Sequence, residues 1–176
     1  MERNRNRTNR PGAKVNVAQK VPGFGETVME NQSADEIRKA AMDFDAAVAS
    51  KNIDRVLASF TDDCEIEVLG QTLDGKEGVE KWINWLHKNL KQIKFQPITI
   101  LVDGNVLFEE FIIRGRLPSG IGVKSKQAEI LVYENNKIKS LRLYFDRLDF
   151  AGAVAKDPLS KTIASRIIKK SLSGLT

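Results

Sequence analysis

Val106-Leu107-Phe108-Glu109-Glu110-Phe111-Ile112-Ile113-Arg114-Gly115-Arg116 reads as a β-strand. Its β-branched and aromatic side chains fit a pleated, half-buried surface. Three more β-rich runs flank it: Ile98–Val102 before, then Val123–Glu134 and Ile138–Asp146 after. Asp103-Gly104-Asn105, Leu117-Pro118-Ser119-Gly120 and Asn135-Asn136-Lys137 separate them. These are short clusters of turn residues, so successive strands are expected to pair antiparallel as hairpins.

Upstream of Pro97 the period changes to that of helices. Ser33 and Glu36 have the spacing of a capping box, and Ile37, Ala40, Ala41, Phe44 and Val48 follow on one helical face. A short helix is predicted over Ile53–Phe60, with Asn52 as its N-cap. Cys64–Leu69 alternates as a half-buried strand. Asp74 and Glu77 give a second capping-box spacing before a helix carrying Val79, Ile83, Leu86 and Leu90 on one face, with Trp82 and Trp85 beside it. Helices first and a long meander after is an α+β pattern. Helices are expected to cover one face of a curved antiparallel sheet whose curvature encloses a pocket.

The chain has 176 residues, 41% of them hydrophobic and 29% charged, which suits one globular domain. No apolar run approaches the ~20 residues of a membrane span, and no secretory signal core is visible. Cys64 is the lone cysteine, so no disulfide forms within the chain, and a reducing cytoplasmic location is expected. The lone histidine, His87, lies among lysines and is expected to be exposed. It has no second ligand nearby, so no metal is expected. No phosphate loop or Ser/His/Asp set occurs, and no cofactor is expected.

Charge is uneven. Met1–Lys20 holds six basic residues and one acid, and Ala151–Thr176 holds five basic residues and one acid, so the body between them is acidic. The pI of about 9.3 therefore describes the ends. Residues 1–32 are read as a disordered basic extension, a solvated leader first, with contact to RNA, acidic lipid or a partner as alternatives and a mitochondrial presequence as a third. In 156–176, Leu159, Ile163 and Ile167 recur at helical spacing among Lys161, Arg166, Lys169 and Lys170. This basic amphipathic helix is expected to dock on its own body or on a dimer mate, with a membrane or another partner as the alternative.

The run Val106–Glu110, the turn Leu117–Gly120, then Asn136-Lys137-Ile138 and Leu141-Arg142-Leu143-Tyr144-Phe145-Asp146, resembles the limonene-epoxide-hydrolase and SnoaL-like polyketide-cyclase branch of the nuclear transport factor and ketosteroid isomerase superfamily. The resemblance covers roughly 33–155 and implies a cystatin-like α+β roll around a cone-shaped pocket, an apolar small-molecule ligand and a homodimer. In the epoxide hydrolases an aspartate of the Tyr-Phe-Asp ending works with an Arg and an Asp of an earlier strand. Asp146 matches the first, while the other two positions fall on Glu110 and Ile112. In the cyclases and isomerases a pocket carboxylate serves as acid or base, and ketosteroid isomerase holds a carboxylic acid neutral in an apolar site.

By strand alternation Asp146, Tyr144 and Arg142 share a face, as do Glu110, Phe108 and Ile112. If those faces point inward, Asp146 and Glu110 form a carboxylate pair, Tyr144 adds a phenol donor, and Phe108, Ile112, Arg142 and Trp82 contact ligand. Otherwise Asp146 caps the helix starting near Leu148, Glu110 pairs with a neighbouring arginine, and Trp82 and Trp85 are core or dimer-face residues. Two functions follow. One is a cofactor-free isomerase, cyclase or hydrolase with Asp146 as general base. The other is a non-catalytic dimeric module whose basic tails recruit an anionic partner, nucleic acid or acidic membrane.

Overall fold

The computed structural model describes residues 32–155 and 157–174, so the expected basic leader lies outside the described residues but for Gln32. The chain opens with α1 (Ala34–Ser50) and α2 (Ile53–Ala58), followed by β1 (Phe60–Val68), β2 (Gln71–Asp74) and α3 (Gly75–Asn89). The meander is β3 (Ile93–Asp103), β4 (Val106–Arg116), β5 (Gly122–Glu134) and β6 (Lys137–Phe145). Then come α4 (Leu148–Val154) and α5 (Pro158–Ser171).

Local signals place the helix starts. Ser33 and Glu36 close the capping box, Ser33 Oγ accepting from Glu36 N at 3.2 Å and Glu36 Oε2 from Ser33 N at 3.0 Å. Asn52 caps α2 by accepting from Arg55 N at 3.0 Å. Asp74 stands at the N-cap of α3 but makes no side-chain cap bond, so the second predicted box is not formed. Asp157 caps α5 by accepting from Ser160 N at 2.9 Å.

The six strands lie in the order β2-β1-β6-β5-β4-β3. The three predicted hairpins form, and the Asn135-Asn136 turn has positive φ at both residues, as a primed two-residue turn requires. One pairing departs from the expected all-antiparallel sheet: β1 runs parallel to β6. After α3 the chain enters the sheet at its far edge and reverses three times, which returns β6 beside β1 in the same direction. Neither that crossover nor the short strand β2 is legible in the meander itself. Pro97 is tolerated inside β3 because β3 is an edge strand and the ladder is irregular between Pro97 and Thr99.

All three longer-range helices use the same face of the sheet. Ile37, Phe44 and Val48 of α1 and Val79, Trp82 and Ile83 of α3 join one core with Leu107, Phe111, Leu131 and Leu141 of the strands. Helix α4 lies against β5. Helix α5 touches α4 and leaves Leu159, Ile163 and Ile167 exposed. Among the described residues no helix is long and apolar enough to cross a membrane.

The junction of β2 and α3 is tight at Gly78. A Cβ there would sit 2.8 Å from the backbone carbon of Leu73 and 3.1 Å from its oxygen. Gly78→Ala should therefore lower stability by ~1–3 kcal/mol through overpacking, although alanine is the better helix former. Urea unfolding checks this; an unchanged or higher midpoint would contradict the close approach.

Candidate active site

Alternation along the two central strands decides what the inner face carries. On β4 the buried positions are Leu107, Glu109, Phe111 and Ile113. On β5 they are Val123, Ser125, Gln127, Glu129, Leu131 and Tyr133. Glu109 and Glu129 are direct partners across the ladder, so their side chains leave the sheet side by side on the inner face. Helix α1 adds Asp45 from above.

These groups border a cavity of about 300 Å³ between the sheet and α1, α3 and α4. Asp45, Gln127 and Glu129 open into it, and Glu109 lies behind Glu129. Seven of the chain's twelve aromatic side chains line the cavity, so its wall is mainly aromatic. Trp82 stacks on Phe44 with ring centroids 6.3 Å apart, and Phe145 meets Phe150 of α4 edge to face at 5.7 Å.

The electrostatics follow from burial without compensation. Glu129 is only 6% exposed, and no hydrogen bond or ion pair engages it among the described residues. Burial first, then the charges of Asp45 and Glu109, push its carboxyl well above the usual range. Asp45 is pushed up to about 8, by burial and then by Glu109. Burial alone raises Glu109, whose Oε1 has no partner. The Tyr133 hydroxyl is likewise buried and unpartnered, and is raised by burial and then by all three carboxylates. The cation that borders the cavity, Arg147, is exposed and donates to the Leu69 carbonyl at 2.6 Å. Trp82 Nε1 is a further buried donor without an acceptor. Among the described residues no group of three or more His, Cys, Asp and Glu side chains is placed to hold a metal ion.

The SnoaL-like domain family matches residues 41–141, more than half of the chain. The protein belongs to the SnoaL-like domain family. Solved structures share its shape. An LEH-like epoxide hydrolase of M. tuberculosis is 18% identical with a TM-score of 0.59, over 76% of this chain and 97% of that one. A putative polyketide cyclase of Sinorhizobium meliloti is 19% identical with a TM-score of 0.52, over 60% and 94%. A hypothetical protein of Catenulispora acidiphila with a ketosteroid isomerase-like fold, solved in complex with trimethylamine, is 15% identical with a TM-score of 0.60, over 65% and 90%. At these identities the likeness shows the fold alone. No curated protein matches the sequence.

In this SnoaL-like domain most of the residues expected in the cone lie outside it. Glu110 emerges on the outer face and pairs with Lys126 at 2.5 Å. Phe108 and Ile112 share that outer face. Tyr144 is 48% exposed opposite Ala128, and Arg142 lies opposite Ile130 on the same side. Asp146 is exposed beyond the end of β6, where its Oδ1 accepts from Leu148 N at 2.8 Å and shapes the turn into α4. The reason is parity: on β4 the cavity positions are odd-numbered, as they are on β6 from Leu141 to Phe145. Trp82 alone of the named candidates lines the cavity. His87, expected to be exposed, is half-buried with its Nε2 2.9 Å from the Val48 carbonyl.

A pH dependence of stability follows. Between the ordinary aspartate value of 3.8 and about 8, folded Asp45 keeps a proton that the unfolded chain releases. Rising pH therefore favours unfolding throughout that window, and the stabilisation is full below it and lost above it. Glu109 and Glu129 act in the same direction. The melting temperature should fall from pH 4.5 to pH 8.5, and less steeply in Asp45→Asn and in Glu129→Gln. Thermal melts across that range test this; parallel curves for the three proteins would refute the assignment.

Proposed function

We propose that this SnoaL-like domain is a proton-transfer enzyme acting on an apolar small molecule held in the cone, with Asp45 and Glu129 as its acid/base pair. The observation that carries this reading is that both carboxylates open into one aromatic cavity with no cation among the described residues facing them from its walls. Two such groups do not ionise together at neutral pH. Glu129 is the more deeply buried, with its carboxyl raised by burial, so it keeps its proton and donates a hydrogen bond. Asp45 ionises first, as the pH approaches about 8, and in that form serves as general base.

In such a step Asp45 takes a proton from a substrate carbon, and the C–H electron pair moves into an adjacent carbonyl. The oxygen's growing charge is met by the Glu129 O–H. Returning the proton to another carbon completes an isomerisation; attack of the enolate on an internal electrophile completes a cyclisation. With water as the group deprotonated, the same pair supports hydrolysis. The Gln127 amide, which faces the cavity, offers an orienting contact. The open cavity supports catalysis over a scaffold role, for which the cone is best filled by side chains. Function in a reducing cytoplasm is part of this reading, Cys64 being free and buried.

Once a screen of cyclisation, isomerisation and epoxide substrates identifies turnover, Asp45→Asn should lower kcat by about 10²–10⁴-fold. Glu129→Gln should do the same. Asp146→Asn, whose Oδ1 remains able to accept from Leu148 N, should retain activity close to wild type. Activity surviving Asp45→Asn would overturn the proposed base.

The outer face of the sheet supports a homodimer. Leu101 is 61% exposed, Val106 40% and Tyr144 48%, beside half-buried Phe108, Ile112 and Ile130. An apolar sheet face of this kind marks an interface. Leu101→Lys combined with Tyr144→Lys should shift the protein from dimer to monomer in sedimentation velocity; a monomeric wild type would end this part of the reading.

A further inference from the structure

We infer that the ligand of the cone is a lipophilic amine, its cationic nitrogen seated between the aromatic wall and the carboxylates of Asp45 and Glu129. The inference deepens the proposed function by naming its substrate class. It rests on this cavity being the ligand site but not on Asp45 acting as base.

Three independent features converge on a positive ligand. The first is the sign of the interior. Asp45 comes from α1, Glu109 from β4 and Glu129 from β5, and the cationic side chain at the border, Arg147, is turned to the Leu69 carbonyl. The second is the absence of internal compensation. Glu129 and Gln127 are each 6% exposed, face the cavity and have no hydrogen-bond partner among the described residues. A buried polar group left in this state is costly, and a ligand that pairs with it recovers that cost.

The third feature is the wall. Trp82, Trp85, Phe95, Phe111, Phe145 and Phe150 surround the space. Aromatic faces carry negative charge density and attract ammonium groups, tryptophan most of all. A neutral apolar ligand would use the rings but leave the carboxylates unpaired. An anion finds no cation turned toward it among the described residues, Arg147 being turned to the Leu69 carbonyl. A metal ion finds no grouped ligands among the described residues. A hydrocarbon-substituted ammonium uses both halves of the site, with the apolar body against the rings and the nitrogen toward Asp45 and Glu129. The volume of about 300 Å³ suits a small amine with one ring or a short chain.

Binding has a protonic consequence. The groups facing the nitrogen are Asp45 and Glu129, with Glu109 and the Tyr133 hydroxyl buried behind them and Arg147 at the border. A fixed cation among them favours the ionised carboxylates, so a permanent cation binds with proton release.

The test is isothermal titration of the full chain with four probes of one shape. Benzyltrimethylammonium is a permanent cation and N,N-dimethylbenzylamine a titratable one. Isobutylbenzene is the neutral isostere of the protonated dimethylbenzylamine and phenylacetate the anion. The cations should bind at least about tenfold more tightly than isobutylbenzene, with phenylacetate weakest. The enthalpy for benzyltrimethylammonium should vary with the ionisation heat of the buffer, reporting the released proton. In the Asp45→Asn/Glu129→Gln double variant the preference for charge should vanish while isobutylbenzene still binds, which shows that the cone is intact. Equal affinity for cation and isostere, or tighter binding of phenylacetate, would overturn the inference. Cation-selective binding without turnover of any amine would uphold the ligand class and count against the catalytic reading alone.

Discussion

The unbroken register between β4 and β5 is the constraint on which the cone depends. Eleven pairs run from Val106 opposite Val132 to Arg116 opposite Gly122 without a bulge. Strand side chains alternate with a period of two, so a slip of one residue would exchange the faces. Leu107, Phe111 and Ile113 on one strand and Val123, Leu131 and Tyr133 on the other hold the register by burial. Glu109 and Glu129 sit at the same parity as these apolar residues. They are carried into the interior by neighbours two positions away, and no local choice of rotamer returns them to water.

The remaining elements turn that inner face into a site. Helix α1 buries Phe44 and, through the same turn, brings Asp45 to the cavity. Helix α3 supplies Trp82, stacked on Phe44, so the two helices share one aromatic contact over the sheet. The last wall is α4. Its position depends on Asp146, which accepts from Leu148 N just after β6, and on the edge-to-face contact of Phe145 with Phe150. The aspartate that the Tyr-Phe-Asp motif singles out thus shapes the border of the cone from outside it.

Much of the fold was legible in the sequence because its signals are local. The Ser33/Glu36 box, the Asn52 cap and the three turn clusters each act within a few residues. The parallel β1–β6 pairing was not legible, since it joins strands far apart in the chain. The inner face of β4 lies one residue away from the expected one. Val106-Leu107-Phe108 and Phe111-Ile112-Ile113 are apolar on both faces, so Glu109 and Glu110 compete for the interior, and the resemblance pointed to Glu110. A signal was present nonetheless. Arg114 and Arg116 share parity with Glu110, and across the ladder Lys124 and Lys126 fall on that same face, leaving Gln127 and Glu129 to the other. On β6 and the residue after it, Leu141, Leu143 and Phe145 alternate against Arg142, Tyr144 and Asp146. Charge parity, carried along each strand, assigns the faces. Asp45 had no such signal, because its place at the cavity depends on how α1 crosses the sheet.

The contrast between the two faces bears on why the interior is acidic. Outside, Glu110 has Lys126 beside it. Inside, Glu109 and Glu129 face each other and Asp45 with no lysine or arginine of the described residues among them. Apolar residues of similar size at these positions would remove a desolvation penalty and make a better core. A fold that keeps three such carboxylates around an open cavity departs from the rule that local choices agree with stability, and such departures cluster where chemistry is done. The carboxylates' ionisation is then a joint property of the protein and whatever enters. Empty, the cone favours protons on its acids; filled by a group that brings positive charge or yields a proton, it favours their release. The same unpaired acids that weaken the fold therefore give the cavity its response to a ligand.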